Sequence, residues 1–291
     1  MKATFGERVF YFINYTILAL AGLSCVLPLL NIVAMSLSDS SSIAAGRVTL
    51  YPIGLQWDSY YKLFVGTNIL QALQNNIVIT IVGVVLCMIF TILAAYPLSR
   101  SYFYGRRFFT LAVVFTMLFG GGLIPTYLVV KSLGLVNTYG ALWLPGLVSA
   151  YNMLLLRTFF ENIPEELIEA ARIDGCSETR ILMQILLPLS FPILATLTLF
   201  YAVGFWNMFS NVLIYINDSS KLNMTVLVQN MIKSQTILQE VGQLDPDQVQ
   251  RITPESIKSA AIFVLIVPML CVYPFLQKYF VKGSMIGSIK G

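Results

Sequence analysis

The sequence predicts an all-α integral membrane protein with six transmembrane helices. Of its 291 residues, 57% are hydrophobic and 11% are charged, whereas about 25% of the residues are charged in a soluble domain. Six long stretches carry no charged side chain, and a helix needs roughly 20 mostly apolar residues to cross a bilayer. None of these stretches alternates with period two, as the strands of a membrane barrel do. Helices are expected because they satisfy their own backbone hydrogen bonds in lipid.

The six uncharged stretches place the helices along the chain. They contain 30, 37, 23, 25, 37 and 19 residues in chain order, so each holds one span and none comfortably holds two. Residues 1–291 are therefore expected to form a single transmembrane domain, with an inner loop at 161–184 and an outer loop at 211–257. The predicted spans lie near 9–36, 71–99, 107–130, 138–160, 185–210 and 259–280.

An even number of spans places both termini on the same side of the membrane. If that side is the cytoplasm, 11 of the 18 basic residues face it, in agreement with the positive-inside rule. The apolar stretch after Arg8 is longer than the 7–15 residues of a signal-peptide core, so we expect it to remain as the first helix. The prediction is a multi-pass protein of the cytoplasmic (inner) membrane with both termini inside.

The inventory of residues argues against several classes of function. The net charge of +4 is scattered, so no nucleic-acid partner is expected. The absence of histidine removes the usual general base and the commonest metal ligand, and no metal site is expected. Cys25, Cys87 and Cys271 lie in apolar stretches, where buried reduced thiols are expected rather than disulfides. No glycine-rich loop followed by lysine and serine or threonine is present to cradle phosphates.

The inner loop reads as two short helices joined by a sharp turn. Asn162 is predicted to cap the first helix, with Glu165 three residues later as in a capping box. Gly175 is predicted to end that helix in a left-handed turn, and Ser177 to cap a second helix that continues into the fifth span.

This loop breaks the charge pattern of the other inner segments. Residues 157–180 carry six acidic residues and three arginines, whereas interfacial helices that lie on lipid are usually rich in lysine and arginine. A surface for docking a protein is therefore the better interpretation. The apolar, small-residue surface of the first helix would consist of Leu167, Ala170, Ala171 and Ile173.

The loop resembles the EAA motif of ABC importer permeases. That motif reads Glu-Ala-Ala, three residues, Gly, nine residues and Ile-x-Leu-Pro. Three further segments, 95–100, 121–125 and 277–283, resemble the carbohydrate-uptake (maltose-permease-like) branch. Within it, the chain looks closest to the lipoprotein-associated subgroup that handles complex oligosaccharides. The residues that match the motif are Glu169, Ala170, Ala171, Gly175, Ile185, Leu187 and Pro188, with Asp174 before the glycine.

The resemblance implies a permease subunit of an ATP-driven sugar importer, itself non-catalytic and without a bound cofactor. The inner loop would be a coupling helix between spans four and five, seated in a cleft of a cytoplasmic ATPase. Two ATPase subunits, which bind ATP and Mg, would drive alternating access. The other partners would be a second, homologous permease subunit in a heterodimer, an extracytoplasmic solute-binding protein and the lipid bilayer. The residues assigned to ATPase coupling are Glu169, Ala170, Ala171, Asp174 and Gly175.

Polar side chains within the spans are candidates for the sugar path, because such groups are costly in lipid unless they meet one another or water. For any single residue an interhelical hydrogen bond or a place in an interfacial aromatic belt is the favoured alternative. The group around Trp206 stands out because stacking and amide groups occur together near the outer face. The path candidates are Asn75, Asn76, Thr80, Asn152, Trp206, Asn207, Phe209 and Asn211.

Two other classes of protein compete with a transport subunit. An integral-membrane enzyme acting on lipid-linked sugars, the main alternative, would need a cluster of acids at the membrane face. The acidic cluster here coincides with the EAA motif. A secondary transporter would carry an acidic relay within its spans or internal repeats, and neither is visible in the sequence. Resemblance at the level of a branch does not fix the sugar.

Overall fold

The structure, a computed structural model, describes residues 4–241 and 254–286. The regular elements in this part of the chain are helices, without a strand, in agreement with the predicted all-α class. The helical residues include a π-helical turn at Leu182–Leu186 and a 3₁₀ turn at Ser219–Lys221. The helices are α1 (Phe5–Ser36), α2 (Ser40–Ala44), α3 (Asp58–Gly66), α4 (Ile69–Ser99), α5 (Arg106–Leu118), α6 (Leu123–Ser132), α7 (Gly140–Trp143), α8 (Ala150–Glu161), α9 (Glu165–Ile173), α10 (Glu178–Leu189), α11 (Phe191–Trp206), α12 (Ser210–Tyr215), α13 (Met224–Val241) and α14 (Pro254–Ile286).

Within the described residues, three helices are long and apolar enough to cross a membrane: α1, α4 and residues Glu255–Val272 of α14. They coincide with the first, second and sixth predicted spans, although α14 extends beyond both predicted ends. The number rises to five if each of two bent helix pairs counts as one span. The six-span arrangement therefore stays a prediction.

Two of the predicted spans are sharply bent instead of continuous. α5 and α6 meet at 114°, across three consecutive glycines that end at Gly122. The backbone of Gly122 has φ +83° and ψ 170°, a conformation that essentially only glycine adopts. α10 and α11 meet at 83° around Ser190. Pro188 and Pro192 flank this break, and Pro192 has no N–H to continue the helical ladder.

The fourth predicted span, 138–160, is also interrupted. α7 ends at Trp143 and α8 begins at Ala150, so six residues between them are not helical. Pro145 and Gly146 occupy this connection, and both residue types are poor in a helix interior. α8 then starts from Ser149, whose Oγ accepts a hydrogen bond from the Asn152 N–H at 3.4 Å, an ordinary N-cap.

The chain divides into two compact units, one taken from residues 1–70 and 227–267 and the other from 71–226 and 268–291. In the first unit, α1 exposes nearly all of its apolar side chains, as expected of a helix facing lipid. Its end packs through Ala34 against Ile43 and Val48. The Asp39 N–H donates to the Ile53 carbonyl at 3.0 Å, and this bond closes the loop that follows α1.

Two buried apolar clusters form the interior of the second unit. The first joins the end of α4 to α8, α9, α10 and α11. The second joins α4 to α6, α7, α11, α12 and the start of α13. Cys87 lies in the second cluster, as a buried free thiol. Cys25 and Cys271 are also free but are exposed on the chain. The expected burial is therefore wrong for Cys25 and Cys271. Both lie in helices that are long and apolar enough to cross a membrane, where an exposed side chain can face lipid.

The contact between α4 and α11 gives a stability test. A Cβ atom added at Gly83 would lie 2.7 Å from the ring of buried Phe205, whereas one added at Gly204 meets no atom within 4 Å. Gly83→Ala should lower the free energy of unfolding by about 1–3 kcal/mol through overpacking. Gly204→Ala should change it little or raise it by up to about 1 kcal/mol, because alanine is the better helix former.

Thermal unfolding of the purified chain in detergent measures both variants, and Gly83→Ala combined with Phe205→Leu should recover part of the loss. Equal stability of Gly83→Ala and Gly204→Ala would show that the two helices do not approach closely at this point.

Candidate functional site

The predicted docking loop forms the two helices α9 and α10 joined by a tight turn. Gly175 has φ +77°, which confirms the left-handed stop predicted there. Its N–H donates to the Arg172 carbonyl and the Cys176 N–H to the Ala171 carbonyl, both at 2.9 Å. These are the paired bonds of a Schellman cap. Ser177 caps α10 as predicted, since its Oγ accepts a hydrogen bond from the Arg180 N–H at 3.4 Å.

The N-terminal cap predicted for α9 is wrong. Asn162 ends α8 instead, and its Nδ2 donates to the Thr158 carbonyl one turn earlier at 2.9 Å. α9 starts after Pro164, without a hydrogen bond from a capping side chain. Proline disfavours the helical conformation in the residue before it, so the chain leaves the helical path at Ile163 and Asn162 lies outside the first turn of α9.

α9 presents two chemically different faces. Ile168 and Ala171, three residues apart, are 1% and 7% exposed and pack into the first apolar cluster. The expectation that Ala171 belongs to the outer surface is therefore wrong, because α-helical spacing turns it to the side of Ile168. The outer face is exposed and combines acidic and apolar side chains. The exposed residues are Glu165, Glu166, Leu167, Glu169, Ala170, Ile173, Asp174 and Gly175.

Two arginines, one just after α4 and one on α8, connect the end of α4 to α8. Arg100 is 5% exposed, and its Nη2 donates to the Phe160 carbonyl at 2.8 Å. In the opposite direction, Arg157 of α8 donates through Nε to the Leu98 carbonyl at 2.9 Å. Each arginine thus satisfies a carbonyl at the end of the other helix, where carbonyls lack an intrahelical partner. These two arginine–carbonyl contacts were not predicted from the sequence, although residues 95–100 are among the segments that resemble the carbohydrate-uptake permeases.

A shared carboxylate extends the connection to α5. Glu161 at the end of α8 pairs with Arg106 of α5, and its Oε1 also lies 2.8 Å from Nη2 of Arg157. Ser101 Oγ donates to Oε1 of Glu165 at 3.2 Å, which reaches the first residue of α9. The α4–α5 loop therefore contacts both helices that flank the α8–α9 connection.

Glu178 is the polar centre of the packing between α10, α9 and α4. Its Oε1 accepts from Arg172 Nη2 at 2.9 Å, and its Oε2 accepts from the hydroxyls of Tyr102, at 2.9 Å, and Tyr96. The Arg172 guanidinium lies 4.3 Å from the centre of the Tyr102 ring, within the range of cation–π attraction. Partial burial acts to raise the pKa of Glu178, but the hydrogen bonds from Tyr96, Tyr102 and Arg172 outweigh it and lower the pKa.

Neighbouring asparagines on α4 have different environments. Asn75 donates through Nδ2 to the Ser220 and Leu222 carbonyls, at 2.8 and 2.9 Å, so it fixes the segment before α13. Asn76 is fully buried, and its Nδ2 reaches the Trp206 carbonyl only at 3.4 Å. The Asn76 Oδ1 and the Thr80 Oγ1, one turn apart, make no hydrogen bond within the described part of the chain.

The group around Trp206 is separated by the fold. Trp206 is 6% exposed, and its carbonyl accepts from Thr225 Oγ1 at 3.3 Å. Phe209 packs against the second apolar cluster. Asn207 and Asn211 are exposed, and Nδ2 of Asn207 bonds to its own helix. The stacking and amide groups predicted to act together therefore do not share one surface.

Other polar anchors near this end of the second unit were not predicted. Asn223 is fully buried, and it donates through Nδ2 to the Met208 carbonyl at 2.6 Å. Asn137 has φ +64°, and its Oδ1 accepts from the N–H groups of Asn217 and Asp218. Asparagine tolerates the left-handed region better than most residues. Asn152, a path candidate at the start of α8, is 6% exposed.

The charged side chains behind α9 connect neighbouring helices to one another. Within the described residues, no group of three His, Cys, Asp or Glu side chains is placed to hold a metal ion. Four arginines near α9 are paired with carboxylates or backbone carbonyls, namely Arg100, Arg106, Arg157 and Arg172. This arrangement fixes the position of a short helix and leaves its outer face accessible.

Comparison with known proteins gives consistent matches over the chain. Residues 82–284 match the family described as "Binding-protein-dependent transport system inner membrane component". Protein LplC of Bacillus subtilis (strain 168) is 42% identical over 293 residues, which cover 100% of this chain and 98% of that protein. The polygalacturonan/rhamnogalacturonan transport system permease protein YtcP of the same organism is 41% identical over 98% of this chain and 99% of its own. A solved bacterial ABC transporter involved in the import of the acidic polysaccharide alginate aligns with TM-score 0.87 and 30% identity, covering 96% of this chain and 99% of that one.

The contacts of Glu178 predict an acid-dependent stability. A carboxyl whose pKa is lowered on folding contributes stability above its unfolded pKa and loses it as pH falls through its folded pKa. The stability difference between the wild type and Glu178→Gln should therefore be constant near neutral pH, begin to fall as the pH approaches the ordinary value of 4.5, and be lost as the pH passes below the lowered folded pKa. Because the Glu178 side chain is 49% exposed, solvent screening keeps this difference below about 1 kcal/mol.

Thermal unfolding between pH 3.5 and 7.5 measures this difference. Glu166→Gln, which removes an exposed carboxylate from α9, is the matched control for the loss of one negative charge. A pH-independent difference for Glu178→Gln would mean that its hydrogen bonds do not favour the ionised form.

Proposed function

The chain belongs to the family of binding-protein-dependent transport system inner membrane components, and we propose that it forms half of the membrane pathway of an ATP-driven oligosaccharide importer. It is a multi-pass membrane protein and a non-catalytic transport component, as are the permeases of this family. The proposed substrate class is supported by the relatives, which include a polygalacturonan/rhamnogalacturonan permease and an alginate importer. Those sugars are the substrates of those proteins, and the proposal for this chain extends to oligosaccharides as a class.

The observation that carries the proposal is the bend between α9 and α10, with its exposed acidic outer face. We propose that this face docks in a cleft of a cytoplasmic ATPase through Glu169, Ala170, Asp174 and Gly175. Ala171, in the same motif, has a structural role instead. It is buried and packs α9 against α4, α8, α10 and α11. A small residue at 171 lets the α9 backbone approach those helices closely.

Transmission of motion from the ATPase follows from the contacts behind α9. α9 packs into one apolar cluster with α4, α8, α10 and α11, and Glu178 joins its C-terminal end to α4 through Tyr96. A displacement of α9 would therefore move these helices together, because a closely packed interior transmits strain. In this proposal two partner ATPase subunits bind ATP and Mg, and closure of the pair moves the coupling helices.

The remaining architecture is proposed to have six spans with both termini in the cytoplasm. Three spans are then broken helix pairs, α5–α6, α7–α8 and α10–α11. Broken helices are tolerated in membranes where the freed backbone groups are buried in protein or face water. A second, homologous permease would supply the other half of the pathway. A solute-binding protein would dock on the outer loop at 211–257, of which residues 242–253 lie outside the described residues.

Part of the sugar path is proposed to lie on the face of α4 that carries Asn76 and Thr80. Both have a buried oxygen without a hydrogen bond in the described chain, and an unpaired buried polar group is costly. A sugar hydroxyl or water entering between α4 and α11 would satisfy them. Asn152, Asn207 and Asn211 stay in the proposal as further polar groups. The burial of Trp206 and the partial burial of Phe209 support a packing role for these two residues.

Substitution of Gly175 tests the coupling role. Gly175→Val places a β-branched side chain at φ +77°, where an L-residue is strained by about 1–2 kcal/mol or more. We expect the complex to insert and ATP-dependent sugar uptake in proteoliposomes to fall by about tenfold or more, the scale of a lost coupling energy.

Gly134→Val is a matched control for strain alone. Gly134 ends α6 with φ +68°, the same pair of cap hydrogen bonds and no neighbour within 4 Å of an added Cβ. Normal uptake by Gly175→Val, or an equal loss in both variants at equal membrane levels, would count against coupling through this turn.

The neighbouring asparagines on α4 test the sugar path. Asn76→Leu removes one long hydrogen bond and one unpaired acceptor, so stability should change by less than about 1 kcal/mol. Uptake should fall nonetheless, with sugar-stimulated ATP hydrolysis reduced and basal hydrolysis kept. Asn75→Leu loses two good hydrogen bonds and should lower thermal stability instead. Unchanged uptake in Asn76→Leu would remove this face from the path.

A further inference from the structure

A basic cavity lies at the start of α5, beside the α4–α5 loop. Its volume is about 640 Å³, within the range of sites that hold small molecules. Three arginines line it, Arg106, Arg107 and Arg157, together with Tyr102, Tyr104 and Thr110. Among the residues that the structure describes, no acidic side chain lines this cavity. The transport function proposed above assigns no role to it.

The arginines of the cavity are only partly neutralised by the protein. Arg106 and Arg157 share a single carboxylate oxygen, Oε1 of Glu161. Arg107 is exposed and makes no ion pair with the described residues. The nearby Glu165 contacts Ser101 Oγ at 3.2 Å, and Glu178 is paired with Arg172. Even with Glu161 and Glu165 both counted, the cavity retains a net positive charge.

Two further groups at this position favour an anion. α5, which is 13 residues long, begins at Arg106 after the N-cap residue Gly105, and neither a capping side chain nor an acidic residue neutralises the positive end of its dipole. Backbone N–H groups at such a helix start bind phosphate readily. Thr110 lines the cavity, and its buried hydroxyl makes no hydrogen bond within the described chain. Arginine guanidinium groups match phosphate oxygens in a two-pronged geometry.

The surface next to the cavity distinguishes a lipid from free phosphate. Phe108, Leu111, Phe115 and Leu118 follow at spacings of three, four and three residues, which places them along one side of α5. They are 59–70% exposed, and Leu111 also lines the cavity. Tyr104, fully exposed at the entrance, is of the type that concentrates at membrane interfaces. The basic cavity thus opens directly onto an apolar stripe long enough to contact acyl chains.

We propose that this cavity binds the phosphodiester headgroup of an anionic phospholipid, with the acyl chains along the exposed side of α5. Arg107 would supply the free guanidinium, and Arg106 and Arg157 the flanking positive charge. The proposal rests on the chain residing in a membrane, which its family establishes, and is independent of the identity of the sugar. Basic cavities beside membrane helices are a known mode of headgroup recognition.

Lipid titration of the purified transporter complex tests the proposal. Native mass spectrometry would measure binding of dioleoylphosphatidylglycerol and, separately, of zwitterionic dioleoylphosphatidylcholine to the delipidated complex. The wild type should bind the anionic lipid about fivefold more tightly or better, and Arg107→Gln should lower that preference by about fivefold. Lys131→Gln, which removes an exposed cation at the end of α6, is the matched control and should leave the preference unchanged.

Two further measurements distinguish the alternatives. Arg107→Lys keeps the charge without the forked guanidinium and should give an intermediate preference, which covers the case in which Arg107→Gln fails to assemble. Inorganic phosphate, added up to millimolar levels, should not displace the lipid. Equal affinity for the two lipids, an equal loss in Lys131→Gln, or displacement of the lipid by millimolar phosphate would each overturn the proposal.

Discussion

The arrangement of the second unit depends on how one nine-residue helix is held. A helix as short as α9 is marginal on its own in water, so tertiary contacts must fix it. Ile168 and Ala171 bury one face, and Gly175 ends the helix in a turn whose positive φ a side chain would strain. Because these constraints act on the inner face and the C-terminal end, the acidic outer face is presented in one orientation.

Arginine contacts behind α9 join α4 and α8, two of the helices against which α9 packs. Arg100 and Arg157 donate to backbone carbonyls of α8 and α4, and hydrogen bonds from charged donors are stronger than neutral ones. Glu161 and Glu178 each bind more than one partner, so the loss of one contact does not leave either carboxylate unpaired. A planar guanidinium keeps these bonds at fixed angles, which the flexible ammonium of lysine does not.

The sequence predicts the parts of this structure that depend on composition and local turn chemistry. The uncharged stretches identify α1, α4 and α14, and Gly175 and Ser177 correctly mark the turn and the next helix start. Hydrophobicity alone misses the breaks in the other spans, because an apolar stretch looks the same whether its backbone is straight or bent. The sequence does contain residues that mark two of these breaks. Three consecutive glycines precede Leu123, and Pro188 and Pro192 flank Ser190.

The errors at the candidate site come from side-chain direction. The sequence places Ala171 on the outer face with the other small and apolar residues of α9, whereas the three-residue spacing from Ile168 places both on the inner side. Trp206 and Asn207 are adjacent in sequence, but one is buried and the other exposed. The contacts of Arg100 and Glu178 join residues about 60–80 positions apart, and no local pattern contains that information.

Site-directed cross-linking from the outer face of α9 tests the central claim most directly. Glu169→Cys would be introduced after replacement of the four native cysteines, and the assembled complex treated with a short thiol cross-linker with and without ATP. We expect a cross-link to the ATPase subunit whose yield changes with nucleotide, and protection of this cysteine from reagents added outside the cell. Labelling from the outside, or a complex that transports sugar while position 169 touches no ATPase, would contradict the account.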